Sequence, residues 1–292
     1  VGAGMSRFGA FADKTSRDLF VEAFQEMRAS VDNGFDPNLI ETLYIGNFSS
    51  DLVERQAHIA PIMADAVGLV PRPAVRVEDA CASGGVALRQ GVMAVASGMA
   101  DVVLVGGVER MTRLPTAEVT DTLGAAGDAQ YEIPAGCTFP GFYAAIATAY
   151  MAKYGATAED LMRVAIKNHE NGGLNPKAQF GTIPAWMQGR IEAARKKGRP
   201  LPTWQNEFDF LNDDAANPMI AWPLRLFDCS PISDGAACVL LVAEERAHEF
   251  TDDPIYVIGA GQASGVPLHD RSDLTQLPAA RLAGQQAYGQ AG

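Results

Sequence analysis

The chain has 292 residues, 48% hydrophobic and 20% charged, a balance that supports a folded globular protein with a sizeable core. Its 35 acidic residues against 23 basic ones give a formal net charge of -12, which excludes general binding to a phosphate backbone. No apolar run approaches the roughly 18 residues that a membrane span needs.

In chain order, Val1 to Met5 reads as the end of a first β-strand. Leu19, Phe20, Ala23, Phe24 and Met27 are apolar at helical spacing and predict an amphipathic helix within 13–32. Thr42 to Gly46 reads as a strand, Arg55 to Val67 as a helix, Ala74 to Glu78 as a strand, and Ala82 to Ser97 as a Gly/Ala-rich helix. Asp101 to Gly107 is a continuous apolar run, the mark of a strand buried on both faces. This alternation predicts an α/β layered sheet. Gly2, Gly4 and Gly9 lack the spacing of a dinucleotide-binding loop and are expected to be tight-turn glycines.

After Met111 the alternation stops. Residues 112–222 carry helices at about 141–154 and 158–170, joined by Gly/Pro/Asn-rich stretches. A connection of that length is expected to be functional or a subdomain in its own right. Within it, Lys177, Arg190, Arg195, Lys196, Lys197 and Arg199 concentrate positive charge, which suits either an anionic small ligand or a solvated helix face. Strands are expected again at Ala236 to Val242 and Ile255 to Gly259, and a helix at Leu277 to Ala287. Cys81, Cys137, Cys229 and Cys238 show neither CxxC spacing nor the density of a disulfide scaffold, so a reducing cytoplasm is the expected compartment.

The sharpest local feature is Val77-Glu78-Asp79-Ala80-Cys81-Ala82-Ser83-Gly84-Gly85, where a predicted strand runs through a turn directly into a helix. A cysteine there lies beside unpaired helix N–H groups and the positive end of the helix dipole. Both stabilise negative charge, and the thiolate is the reactive form of cysteine. The small residues that follow leave room for a bulky substrate, and the arrangement is that of a nucleophile elbow with Cys in place of Ser. On spacing alone, a buried and inert cysteine is the competing reading.

Asp79-Ala80-Cys81-Ala82-Ser83-Gly84-Gly85 and Val105-Gly106-Gly107-Val108-Glu109-Arg110-Met111-Thr112 resemble the nucleophile segment and following strand of the thiolase superfamily. Cys229-Ser230-Pro231-Ile232-Ser233-Asp234-Gly235-Ala236-Ala237 resembles the strand by which thiolases re-enter the sheet. Lys167-Asn168-His169 and Asn175-Pro176-Lys177-Ala178-Gln179-Phe180 are similar to the sterol-carrier-protein and archaeal branch.

The resemblance implies a layered α-β-α-β-α fold with an inserted, mostly helical loop domain. On that reading 1–111 and 223–250 form the N-terminal half, 112–222 the loop domain that holds CoA, and 251–292 the start of the C-terminal half. It implies Cys81 as the acylated nucleophile of an acetyl-CoA acetyltransferase type of enzyme, and Ser230 as a residue near the pantetheine arm. CoA and acyl-CoA are expected as substrates, with no permanently bound cofactor and no metal. A homodimer or homotetramer is expected, and a zinc-ribbon/OB-fold protein is a candidate partner.

The family's downstream oxyanion motif, Gly-His-Pro base motif and Cys-Gly motif do not occur in these residues. None of His58, His169, His248 and His269 has a Gly-His-Pro setting, and His169 and His269 are expected to be structural. The start at Val1 and the end at Gly292 lead to the expectation that these residues belong to a longer protein. Two alternatives stay open: a hydroxymethylglutaryl-CoA or ketoacyl synthase type of condensing enzyme, and a thiolase-like subunit working with a small acyl-CoA-binding protein.

Overall fold

The computed structural model describes residues Val1–Gly292, which divide into two compact units. The first holds Val1–Ala126, Ile232–Gly265 and Leu277–Gly292; the second holds Gly127–Pro231 and Val266–Gln276.

The first unit runs β1 (Gly2–Met5), α1 (Ser16–Ala29), β2 (Thr42–Gly46), α2 (Ser50–Val53), α3 (Ile59–Ala66), β3 (Ala74–Val77), α4 (Ser83–Ala96), β4 (Val102–Arg110) and α5 (Thr116–Gly124). The second unit then contributes α6 (Phe139–Tyr154), α7 (Ala158–Gly173), α8 (Ile183–Lys196), α9 (Glu207–Asn212) and a short hairpin of β5 (Met219–Ala221) and β6 (Leu224–Arg225). The chain returns to the first unit as β7 (Asp234–Val242) and ends there in α10 (Pro278–Ala291).

Five strands form one sheet in the order β1-β7-β4-β2-β3. β2 is parallel to both β3 and β4, whereas β7 is antiparallel to β4 and β1. β4 alternates as a doubly covered strand should. Its Val102, Leu104 and Val108 join the core with Leu19, Phe20, Phe24 and Met27 of α1 and Ile59 and Met63 of α3. Its Val103 and Val105 pack on the opposite face with Ala87 and Ala94 of α4. α1 begins at a capping box in which Thr15 and Asp18 satisfy each other's backbone amides.

Several expectations need correction. Gly2 and Gly4 lie inside β1 rather than in a turn, and a β-carbon at Gly4 would come within 2.2 Å of the Met27 nitrogen. Glycine there lets α1 close on the strand. The helix read as 55–67 begins only at Ile59, because Arg55 takes a left-handed backbone with φ 57°. Ile255 to Gly259 forms no strand: the neighbouring Ala260 and Gln262 amides donate to the side chains of Gln290 and Gln286 on α10 instead of to a sheet partner.

In the 112–222 stretch, α5, α8 and α9 join the two helices read from the sequence. That stretch is not a single excursion: α5 packs with α2 and so belongs to the first unit. The second unit has a separate core of Met162, Ile183, Phe210 and Leu211 with Trp186, Trp204 and Phe227 around it. No helix is long and apolar enough to cross a membrane.

Candidate active site

β3 delivers its carboxyl end to Glu78-Asp79-Ala80-Cys81, and three features turn the chain there. Ala80 takes a left-handed backbone, φ 44°, a conformation that costs a residue with a β-carbon about 1–2 kcal/mol. Ala80–Ala82 form a 3₁₀ turn closed by the Ala82 amide, which donates to the Asp79 carbonyl at 2.8 Å. Buried Ser83 ties the turn together, its Oγ accepting from the Asp79 amide (2.9 Å) and donating to the Ala80 carbonyl (2.7 Å).

α4 starts at Ser83 and leaves Cys81 exposed at its amino end, beside exposed Gly84 and Gly85. The Cys81 side chain is exposed rather than buried. Because β2, β3 and β4 run parallel, Cys81 follows the carboxyl end of a parallel strand, the end at which open α/β sheets place ligands.

The adjacent strand ends carry a polar network that sequence reading missed. Buried Asn47 follows β2; its amide donates to the Val77 carbonyl at 3.1 Å and its Nδ2 to the Val108 carbonyl at 2.7 Å. The Glu109 carboxylate on β4 accepts from the amides of Phe48 and Ser49 and from the Ser49 hydroxyl. Burial pushes the Glu109 carboxyl upward, opposed by those donors and by the Arg76 charge. Arg76 on β3 donates from Nε to the Asn47 carbonyl (3.1 Å) and from Nη2 to the Phe48 carbonyl (2.8 Å).

Asp234, wholly buried at the start of β7, accepts from the Phe11 amide and from the Thr112 amide and hydroxyl at 2.6–3.2 Å. Glu109 and Asp234 both fall inside the blocks that carry the family resemblance, and that was their only sequence signal.

Ser230 is exposed and lies in the second unit, after a 3₁₀ turn at Leu226–Asp228. The flanking Cys229 thiol is pushed up by burial and then by the Asp228 charge, while burial pushes up the Asp228 carboxyl itself. Arg190, Arg195, Lys196, Lys197 and Arg199 are exposed on or just after α8, whereas Lys177 is half-buried on the preceding loop. A cleft of about 360 Å³ beside α8 is lined by Phe180, Trp186 and Arg190 among others.

The histidines have separate settings. His58 precedes α3, and His248 is exposed in a 3₁₀ turn. His169 Nδ1 is 2.7 Å from the Gly181 carbonyl, with its ring stacked on Phe180. His269 meets buried Glu132: its amide and Nδ1 lie 3.0 and 3.1 Å from one carboxylate oxygen.

The family described as "Thiolase, N-terminal domain" matches residues 1–245. An acetyl-CoA acetyltransferase of Methanothermobacter thermautotrophicus is 41% identical over 289 residues, covering 99% of this chain and 68% of that protein. Another, of Methanocaldococcus jannaschii, is 40% identical over 291 residues, covering 99% of this chain and 67% of that protein. A solved structure described as "Ltp2-ChsH2(DUF35) aldolase" aligns with a TM-score of 0.74 at 28% identity, covering 100% of this chain and 68% of its own. On the strength of that match over most of its length and of its identity to the two archaeal proteins, the chain belongs to the thiolase family.

Proposed function

We propose that this chain provides the nucleophile of an acetyl-CoA acetyltransferase, acting through an acyl-enzyme on Cys81. The observation that carries the reading is the exposed Cys81 on a strained strand–turn–helix junction, in a chain 41% identical to a protein named acetyl-CoA acetyltransferase. The Cys81 sulfur attacks the thioester carbonyl carbon, a new C–S bond forms, and the bond to the CoA sulfur breaks. CoA leaves as its thiolate and takes up a proton. In the second displacement the bond between the acyl group and the Cys81 sulfur breaks as the acyl carbon bonds either to the sulfur of a CoA thiol or to the α-carbon of a second acyl-CoA. The proton lost from that thiol or α-carbon balances the one taken up in the first step, and Cys81 is restored. Division into two displacements is the logic of covalent catalysis.

On this reading the loop domain, 112–222 without α5, holds CoA with Ser230 toward the pantetheine arm, and 251–292 begins the second half of the fold. The enzyme works in the cytoplasm as a homodimer or homotetramer. Incubation with acetyl-CoA followed by intact-mass measurement tests the reading: one acetyl group should be gained by the wild type and none by Cys81→Ser. Acetylation of Cys81→Ser to the same extent would overturn it.

A second reading, a subunit working with an acyl-CoA-binding protein, is favoured by the likeness to the solved aldolase structure described by two joined names, Ltp2 and ChsH2(DUF35). A second polypeptide that co-purifies in fixed ratio and is required for acyl transfer would support it.

A further inference from the structure

We infer that Glu109, acting through Ser49 and Phe48, and Arg76 are positioning residues that hold the Cys81 elbow in register; this rests on Cys81 being the acylated nucleophile. The segment Asn47-Phe48-Ser49-Ser50 leaves β2 between the ends of β4 and β3. On one side Glu109 takes the Phe48 amide and the Ser49 amide and hydroxyl, and Asn47 Nδ2 reaches the Val108 carbonyl. On the other side Arg76 holds the Asn47 and Phe48 carbonyls, and the Asn47 amide donates to the Val77 carbonyl. Val77 is the last residue of β3, four positions before Cys81.

The segment follows directly on Gly46, whose backbone touches the first turn of α4: a β-carbon there would lie 2.6 Å from the Gly84 nitrogen. The 47–50 segment therefore braces both the strand that enters the elbow and the helix that leaves it.

Each oxygen of Glu109 accepts from groups of this segment, so the carboxylate is engaged as a brace and not as a proton acceptor for substrate. A buried carboxylate is costly to keep unless its donors are good. Removing it leaves the Phe48 and Ser49 amides without their acceptor and frees the segment on the β4 side. The segment is then held by Arg76 and Asn47, while Ser83 still ties the turn itself.

The test uses the full chain with acetyl-CoA, reading rate and final extent of Cys81 acylation separately by intact mass. Displacement of a reacting group by about 1 Å costs on the order of 100-fold, so a partly released brace should slow acylation about 10-fold. Glu109→Ala and Ser49→Ala should show that loss in rate, with the final extent and the KM for acetyl-CoA unchanged. Glu109→Gln, which keeps an acceptor oxygen, should recover part of the rate. Phe250→Leu, in the core on the α1 face, should lower the melting temperature without changing the rate.

Wild-type rates in both Glu109→Ala and Ser49→Ala, or losses confined to the final extent in step with melting temperature, would overturn the inference. If Glu109→Ala fails to fold, Ser49→Ala decides. If the wild type is not acylated at all, the acyl-enzyme reading fails by itself. The rate of Cys81 alkylation by iodoacetamide in the same variants then decides: a change of about 10-fold supports the brace and equality overturns it.

Discussion

Gly46 and Gly84 are in backbone contact: a β-carbon on Gly46 would approach the Gly84 nitrogen and Cα to 2.6 Å. The end of a central strand is thus pressed against the first turn of the helix that follows Cys81. Neither residue takes a positive φ, so the demand is for space and not for unusual backbone freedom.

Gly46→Ala should therefore cost about 1–3 kcal/mol, the usual effect of forcing extra volume into a packed interior. Urea denaturation measures the loss, and acylation of Cys81 should slow in the folded variant. Unchanged stability would mean that α4 gives way freely.

Ala80 carries the strain of the elbow in its positive φ. Relief of about 1–2 kcal/mol by glycine is offset by the 0.5–1 kcal/mol that glycine loses in chain entropy. Ala80→Gly should then be neutral or slightly stabilising, whereas Ala80→Val, branched at the β-carbon, should lose about 2 kcal/mol or more. Thermal melts of the pair check this; the prediction fails if valine is the better tolerated.

Asp234 joins three stretches far apart in the chain, since Phe11 and Thr112 lie 223 and 122 residues from it. Asp234→Ala leaves two amides and a hydroxyl without their acceptor and should cost about 3 kcal/mol. Chemical denaturation would show it as a lower midpoint at unchanged slope.

The Glu132–His269 contact should make stability depend on pH. The His269 ring is held above its ordinary value of 6.5, first by its hydrogen bond to Glu132 and then, against desolvation, by the charges of Asp270, Glu132 and Asp128. For Glu132, burial raises the carboxyl, but the Asp128 amide and the His269 ring and amide outweigh it and hold the group below 4.5. A raised histidine gives its full stabilisation below 6.5 and loses it as pH rises through the folded value. A lowered carboxylate gives its full stabilisation above 4.5 and loses it as pH falls through the folded value. The difference in melting temperature between wild type and His269→Gln should be largest between about pH 4.5 and 6.5 and shrink toward pH 8. A difference that stays flat from about pH 4.5 to pH 8 would refute the charged contact.

Among the thiols, Cys81 is exposed, whereas Cys238 is 1% exposed and burial pushes its thiol far up. A disulfide exchange reagent should titrate Cys81 rapidly in the native protein and Cys238 only on unfolding. Cys81→Ser should remove the fast phase.

Much of the first unit was legible because its signals are local. A period-3.6 apolar pattern marks α1, short apolar runs mark β2, β4 and most of β7, and the elbow can be read because strand, cysteine and small-residue helix are contiguous from Val77 to Gly85. The failures have physical reasons too. Ile255 to Gly259 has strand composition, but a strand also needs a neighbour, and the adjoining amides bond to glutamine side chains. Arg55 delays a helix through one backbone angle that composition does not reveal.

By itself the sequence determined most element types of the first unit, the family blocks and the setting of Cys81, since each depends on residues within a few positions of one another. Only the tertiary structure decided that β7 lies between β1 and β4, and that Glu109 reaches Ser49 across 60 residues. It also decided that the nucleophile's helix rests on Gly46. These are long-range pairings of backbone and polar groups, and they leave no periodic trace because each is made once, by two residues that meet only when the sheet has formed.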